Sequence, residues 1–143
     1  MDKILNMLGL MRRANAIQIG ETNTGSAVRA GKAKLLLLAS DASDNAKSRA
    51  KGFVRGRNVT TVSLPYAKEE ISAAVGVSGC SMAAVTDLGF ANAIMKSLSE
   101  LRPETFSEAA GEVEERFQRA QRRKKEAAAH ERNKRLGKRR TNA

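Results

Sequence analysis

The chain has 143 residues, of which 41% are hydrophobic, and carries a formal net charge of +11. This length favours one domain with a real core, and the excess of positive charge favours a polyanionic partner, most often nucleic acid. The single cysteine excludes an intrachain disulfide and fits a reducing compartment. Since the longest strongly apolar run, residues 35–39, is too short to span a bilayer, we expect a cytoplasmic protein with no membrane partner.

Helices and short strands alternate through residues 2–101. Apolar residues recur at helical spacing in some segments, whereas others are short runs rich in Val, Ile, Leu or Thr that are typical of strands. The predicted elements are a helix over 2–14, a strand over 17–19, a helix over 22–30, a strand over 34–40, a helix between Ser43 and Gly52, a strand over 58–63, a helix over 68–75, a strand over 81–86 and a helix from Asp87 to about 101. Ser43 and Asp87 are predicted helix caps. This order predicts an α/β fold, a three-layer α/β/α sandwich around a mostly four-stranded mixed sheet.

The composition changes near Pro103. We therefore predict a globular domain over residues 1–102 and a basic C-terminal tail over residues 103–143. The tail begins with an apolar stripe at helical spacing, made by Phe106, Ala109, Ala110, Val113, Phe117 and Ala120. After the stripe nearly every large residue is charged, so that part is expected to be a solvated helix or disordered.

No residue pattern indicates catalysis. The only histidine, His130, lies in the polar tail, and Cys80 has no second cysteine with which to bind a metal. Gly20 and Gly25 do not form a dinucleotide-binding fingerprint. We therefore expect no catalytic residue, no metal and no cofactor, which disfavours a small hydrolase.

The segment 20–26 joins a strand to a helix and is crowded with small polar residues. Free N–H groups at a helix N-terminus attract phosphates, although capping by Thr22 or Asn23 explains the composition as well. Gly25 costs about 1 kcal/mol in a helix, which close approach of another backbone would explain. Aromatic residues are only 3% of the chain, so recognition of structured RNA fits better than stacking of single-stranded bases. Basic residues that few acids balance occur near this segment and along the next helix: Arg12, Arg13, Arg29, Lys32, Lys34, Lys47, Arg49, Lys51, Arg55 and Arg57.

Three motifs, together with Gly20, resemble the ribosomal protein seven-Ae / thirty-e superfamily over about residues 2–101. They are residues 4–14 (ILNMLGLMRRA), 27–39 (AVRAGKAKLLLLA) and 83–91 (AAVTDLGFA). The resemblance implies an α/β/α sandwich that binds kink-turn or ribosomal RNA without catalysis, with the ribosome as an associated partner.

The resemblance also implies which residues touch RNA. The turn Gly20, Glu21, Thr22 and Asn23 would contact tandem sheared G·A pairs, and Val77, Ser78, Gly79 and Cys80 would shield an extruded nucleotide. Apart from the resemblance, the charge of Arg29, Lys32, Lys34 and the basic tail would add attraction to phosphates. Two features depart from the family pattern: the usual Gly-Thr-Asn-Glu turn reads Gly-Glu-Thr-Asn, and Ser26 stands where a basic residue is common, which weakens one phosphate contact.

An alternative function remains open. In a protein-interaction module of the same fold, the stripe from Phe106 to Ala120 would dock on a partner, as amphipathic helices do in apolar grooves.

Overall fold

The computed structural model describes residues 2–141, with side chains described through Leu136. Helices and strands alternate in the predicted order, and a long final helix follows. The elements are α1 Lys3–Arg13, β1 Ile17–Ile19, α2 Glu21–Arg29, β2 Leu35–Leu38, α3 Asp44–Val54, β3 Thr60–Ser63, α4 Lys68–Val75, β4 Met82–Val85, α5 Leu88–Leu101 and α6 Pro103–Thr141. None of the described helices combines the length and apolar character needed to cross a membrane.

The four strands form one mixed sheet in the order β1-β4-β2-β3. Strand β4 is antiparallel to both β1 and β2, whereas β3 is parallel to β2. Hence β1, β2 and β3 end where β4 begins, and we call this side of the sheet the upper edge. At the opposite side, the lower edge, β2 and β3 begin and β4 ends.

Helices cover both faces of the sheet, which confirms the predicted α/β/α sandwich. Alternate residues of β2 point to opposite faces: Leu35 and Leu37 belong to one apolar cluster and Leu36 and Leu38 to another. The first cluster joins α1, α4 and α5, and the second joins α2 and α3. All four residues of β2 are buried, as its continuous apolar run predicts.

Local signals in the sequence account for several helix boundaries. The Ser43 hydroxyl accepts a hydrogen bond from the Ala46 N–H (3.1 Å), and the Asp87 carboxylate accepts one from the Phe90 N–H (2.9 Å), so both predicted caps are confirmed. Gly25 is explained by a side chain and not by a backbone, because a Cβ there would lie 2.9 Å from the Phe53 ring of α3.

The first half of helix α6 packs against the sandwich. Phe106 (3% exposed) and Val113 (0%) belong to the same apolar cluster as α5, and α6 also packs against β3. Because β3 is an edge strand, this packing covers a strand that would otherwise be open to pairing. The apolar core therefore extends beyond Arg102, the predicted end of the domain, into the first half of α6.

The rest of α6 is a solvated helix, one of the two forms predicted for the tail. We call residues 122–141 the basic arm. Its described side chains, through Leu136, are almost all exposed. Among the basic residues of the tail, which is predicted to attract phosphates, Lys138, Arg139 and Arg140 have side chains that lie outside the described residues.

Candidate nucleic-acid interface

The helix-opening turn and the loop before β4 meet at the upper edge of the sheet. The Gly20 N–H donates a hydrogen bond to the Met82 carbonyl oxygen (2.9 Å), because β1 ends where β4 begins. This places residues 20–23 beside residues 76–80, although more than fifty residues separate them in the chain. We call the two segments together the turn–loop surface.

Gly20 and Asn23 give the turn its shape. Gly20 precedes α2 with a φ of +92° and provides no side-chain cap, a conformation that favours glycine. Thr22 and Asn23 are exposed, and neither is the N-cap, because that position belongs to Gly20. The Asn23 side-chain amide donates to the Ile19 carbonyl oxygen (2.9 Å), which leaves its carbonyl oxygen and one N–H for a ligand.

Glu21 is held from a neighbouring helix. Its carboxylate forms an ion pair with the Arg49 guanidinium of α3. This contact fixes the side chain beside α3 and offsets its negative charge at a surface expected to meet phosphates. The sequence alone indicates Arg49 as a basic residue of α3 and does not indicate its pairing with Glu21, because that pairing depends on how α2 and α3 pack.

The loop takes its shape from two glycines and one serine. Gly76 and Gly79 have φ values of +74° and +69°, which glycine adopts without steric cost. The Ser72 hydroxyl accepts a hydrogen bond from the Cys80 N–H (2.9 Å), and the Ser72 carbonyl oxygen accepts one from the Gly76 N–H (2.8 Å). Sequence reasoning missed Ser72, whose role depends on a loop that folds back over the end of α4.

The four predicted loop residues divide into surface and core. Ser78 and Gly79 are exposed, while Val77 is half-buried and packs against the core. Cys80 is only 1% exposed, and its thiol lies 3.6 Å from the Met82 carbonyl oxygen. Burial raises the pKa of the Cys80 thiol to about 11. The side chain is therefore directed into the core, and Cys80 shapes the loop through its backbone.

The predicted basic residues around α2 do not all join the turn. Asn23, Ser26 and Lys32 line a shallow groove of about 370 Å³ along α2, together with residues that the sequence did not indicate: Asn15, Gln18 and Thr86. Arg29 is exposed at the C-terminal end of α2. Lys34 lies at the lower edge, where its N–H donates to the Val85 carbonyl oxygen (2.7 Å).

The strand order, the three layers and the turn–loop surface place this chain in one class of proteins. These are small three-layer sandwich proteins of the ribosomal-protein type. The chain belongs to the ribosomal protein L7Ae/L30e/S12e/Gadd45 family, whose model matches residues 2–95. The family predicted from the three motifs is thereby confirmed. Helix α6 lies outside the matched residues.

Two curated relatives are similar in sequence. The RNA-binding protein YlxQ of Bacillus subtilis (strain 168) is 34% identical over 96 residues, which are 64% of this chain and 91% of the relative. The RNA-binding protein YlxQ of Enterococcus faecium is 33% identical over 90 residues, which are 63% of this chain and 85% of the relative.

Two solved structures share the fold. A protein of unknown function from Bacillus halodurans C has a TM-score of 0.60 and 26% identity, over 66% of this chain and 94% of that one. The Giardia lamblia 15.5kD RNA binding protein has a TM-score of 0.55 and 19% identity, over 70% of this chain and 88% of that one, and this likeness concerns the fold alone.

Proposed function

We propose that this protein binds structured RNA, of the kink-turn or ribosomal type, through the turn–loop surface, and that it acts without catalysis. One observation carries the proposal: the sheet brings an exposed polar helix N-terminus and a glycine-shaped loop together at the upper edge, joined by the Gly20 to Met82 hydrogen bond. The curated relatives support it, since both are named RNA-binding proteins.

The polar groups of the turn suit contact with the edge of an RNA base and with the RNA backbone beside it. The first N–H groups of α2 have no partner within the helix, and they favour an anionic or electron-rich ligand. The free carbonyl oxygen and N–H of Asn23 match the paired acceptor and donor on a base edge. Gly20 has no side chain, and there is open space where a Cβ would stand, so a base can approach closely.

The loop and the groove along α2 supply the remaining contacts. Val77 offers an apolar side chain beside the exposed Ser78 and Gly79, which suits a base that has left its stack. Lys32 lines the same groove as Ser26. We propose that Lys32 provides the phosphate contact that Ser26, lacking charge, does not make.

Replacing Asn23 tests the proposal. Asn23→Ala should reduce the preference for a kink-turn RNA with tandem G·A pairs over a plain duplex by about 5- to 150-fold, because a base-edge contact contributes about 1–3 kcal/mol in the DNA case. Loss of the bond to Ile19 should lower stability by only about 0.5–1.5 kcal/mol. Fluorescence anisotropy at matched salt measures both affinities.

The matched control is Asn6→Ala, which removes an exposed asparagine from α1 and should leave the preference unchanged. Equal affinity of the unaltered protein for the two RNAs would refute kink-turn recognition. Crosslinking in cells, followed by sequencing of the bound RNA, would show whether ribosomal RNA is the target.

A further inference from the structure

A second groove lies at the lower edge of the sheet, on the side away from the turn–loop surface. It has a volume of about 520 Å³ and lies between the α2–β2 connection, the α3–β3 connection and α6. We call it the α6 groove. Helix α2 has nine residues, so at 1.5 Å per residue roughly 13 Å separates its turn from this groove.

Five cationic side chains from three distant parts of the chain line the α6 groove: Lys34, Arg57, Arg116, Arg119 and Arg123. The three arginines of α6 follow a spacing of three and four residues, which places them on one helix face. None of the described residues that line this groove is acidic. The carboxylates Glu112 and Glu115 line a neighbouring hollow instead.

Two of these arginines hold the walls of the groove together. Arg57 donates to the Val28 carbonyl oxygen at the end of α2 (3.0 Å). Arg116 donates to the Asn58 carbonyl oxygen (3.3 Å) and to the Thr60 hydroxyl, and thereby ties α6 to the start of β3. These contacts explain Arg57 and Arg116 by structure alone.

The other three cations have no comparable structural role. Within the described part of the chain, no carboxylate lies within 4.0 Å of the Lys34 or Arg123 side-chain nitrogens, while Arg119 pairs with Glu115 (2.6 Å) in an exposed i,i+4 contact. Such a pair contributes only about 0.3–0.5 kcal/mol, and it leaves most of the five guanidinium N–H donors free. Like charges that converge in a concave surface repel one another and raise its positive potential.

We propose that the α6 groove binds the phosphodiester backbone of a second segment of the RNA, remote from the segment read by the turn–loop surface. The proposed function supplies the identity of the ligand as RNA. The basic arm favours a long polyanion over a small anion, because α6 runs from Arg123 directly into Lys124 and Lys125. A strand that crosses the groove therefore continues along the arm, and one folded RNA bridges both edges of the sheet.

The test removes three charges from the full-length protein, with Lys34→Gln, Arg119→Gln and Arg123→Gln combined. The control removes three exposed charges elsewhere, with Lys3→Gln, Lys68→Gln and Lys96→Gln. Affinities for a kink-turn RNA with long flanking helices are measured from 50 to 200 mM salt. Each lost phosphate contact should reduce the slope of log affinity against log salt by roughly 0.7–0.9.

For three lost contacts, the affinity advantage of the unaltered protein over the groove variant should shrink by about 20- to 40-fold across this salt range. The preference for kinked over plain RNA should persist, because the turn is intact. A groove variant that matches the control variant in both affinity and slope would overturn the inference. If the triple variant has a lowered melting temperature, the double variant Arg119→Gln, Arg123→Gln provides the comparison of affinity and salt slope, for two lost contacts.

The two proposals fail in different ways. If the unaltered protein does not distinguish kinked from plain RNA, recognition by the turn–loop surface fails while the slope still reports on the groove. If a poly-glutamate peptide binds the unaltered protein but not the groove variant, while both proteins bind the kinked RNA with equal affinity and salt slope, the groove accepts an acidic protein and the assignment to RNA is overturned.

Discussion

Phe106→Ala tests whether the first half of α6 is part of the folded domain. Phe106 is 3% exposed and packs in the cluster that holds α5 against the sheet. Replacing a buried phenylalanine with alanine costs about 3–5 kcal/mol, since it removes apolar contact and leaves a cavity. For a chain near this size each kcal/mol shifts the melting temperature by roughly 2–4 °C, so we expect a fall of about 6–20 °C.

The assay is urea unfolding followed by far-UV circular dichroism, because the chain has no tryptophan. Leu136→Ala is the matched control: it removes an apolar side chain from the same helix at a position that is 51% exposed, and should change stability by less than about 0.5 kcal/mol. A Phe106→Ala protein as stable as the Leu136→Ala protein would refute the reasoning. Two separate unfolding transitions in the unaltered protein would refute it too, because α6 would then unfold on its own.

Three further predictions follow from contacts in the domain. Gly25→Ala should destabilise the domain, because its Cβ would lie 2.9 Å from the Phe53 ring. The overpacking should cost about 1–3 kcal/mol, from which up to about 1 kcal/mol of gained helix propensity is subtracted. Adding Phe53→Leu should recover part of the loss in thermal melts. Burial raises the Cys80 pKa from 9.0 to about 11. The stability that the protonated thiol contributes is therefore complete below pH 9 and declines towards pH 11. The difference in unfolding free energy between the unaltered protein and Cys80→Ala should change over that pH range and not below it. Ending the chain after Gln121 should keep the melting temperature and weaken binding to all RNAs, whereas ending it after Arg102 should expose the β3 edge and cause aggregation, as light scattering would show.

The protein-interaction hypothesis loses its physical basis in its predicted form. Its docking face is the stripe from Phe106 to Ala120. In the structure Phe106, Ala109, Ala110 and Val113 of this stripe pack in the apolar core of the same chain, where α6 lies against α5 and β3. The sequence shows that such a face exists and requires a cover. Because amphipathic periodicity is equally satisfied by an internal and an external partner, only the tertiary structure identifies which one covers it.

Local sequence signals determined the elements themselves. Helical periodicity, the Ser43 and Asp87 caps and the buried run of β2 act over a few residues, so they predict the order and type of every element through α5. Family motifs, also local, indicated residues 20–23 and 77–80 as one surface.

Tertiary structure decided which side chains share a surface. The sheet order brings the turn beside the loop, and the Cys80 side chain is directed into the core. The packing of α2 against α3 lets Arg49 reach Glu21. Lys34 lies at the opposite edge of the sheet, in a groove shared with arginines of α6 that are more than eighty residues away in the chain. These relations depend on strand order and helix packing between distant segments, and such contacts arise from burial of the whole core, which a pattern of neighbouring residues does not encode.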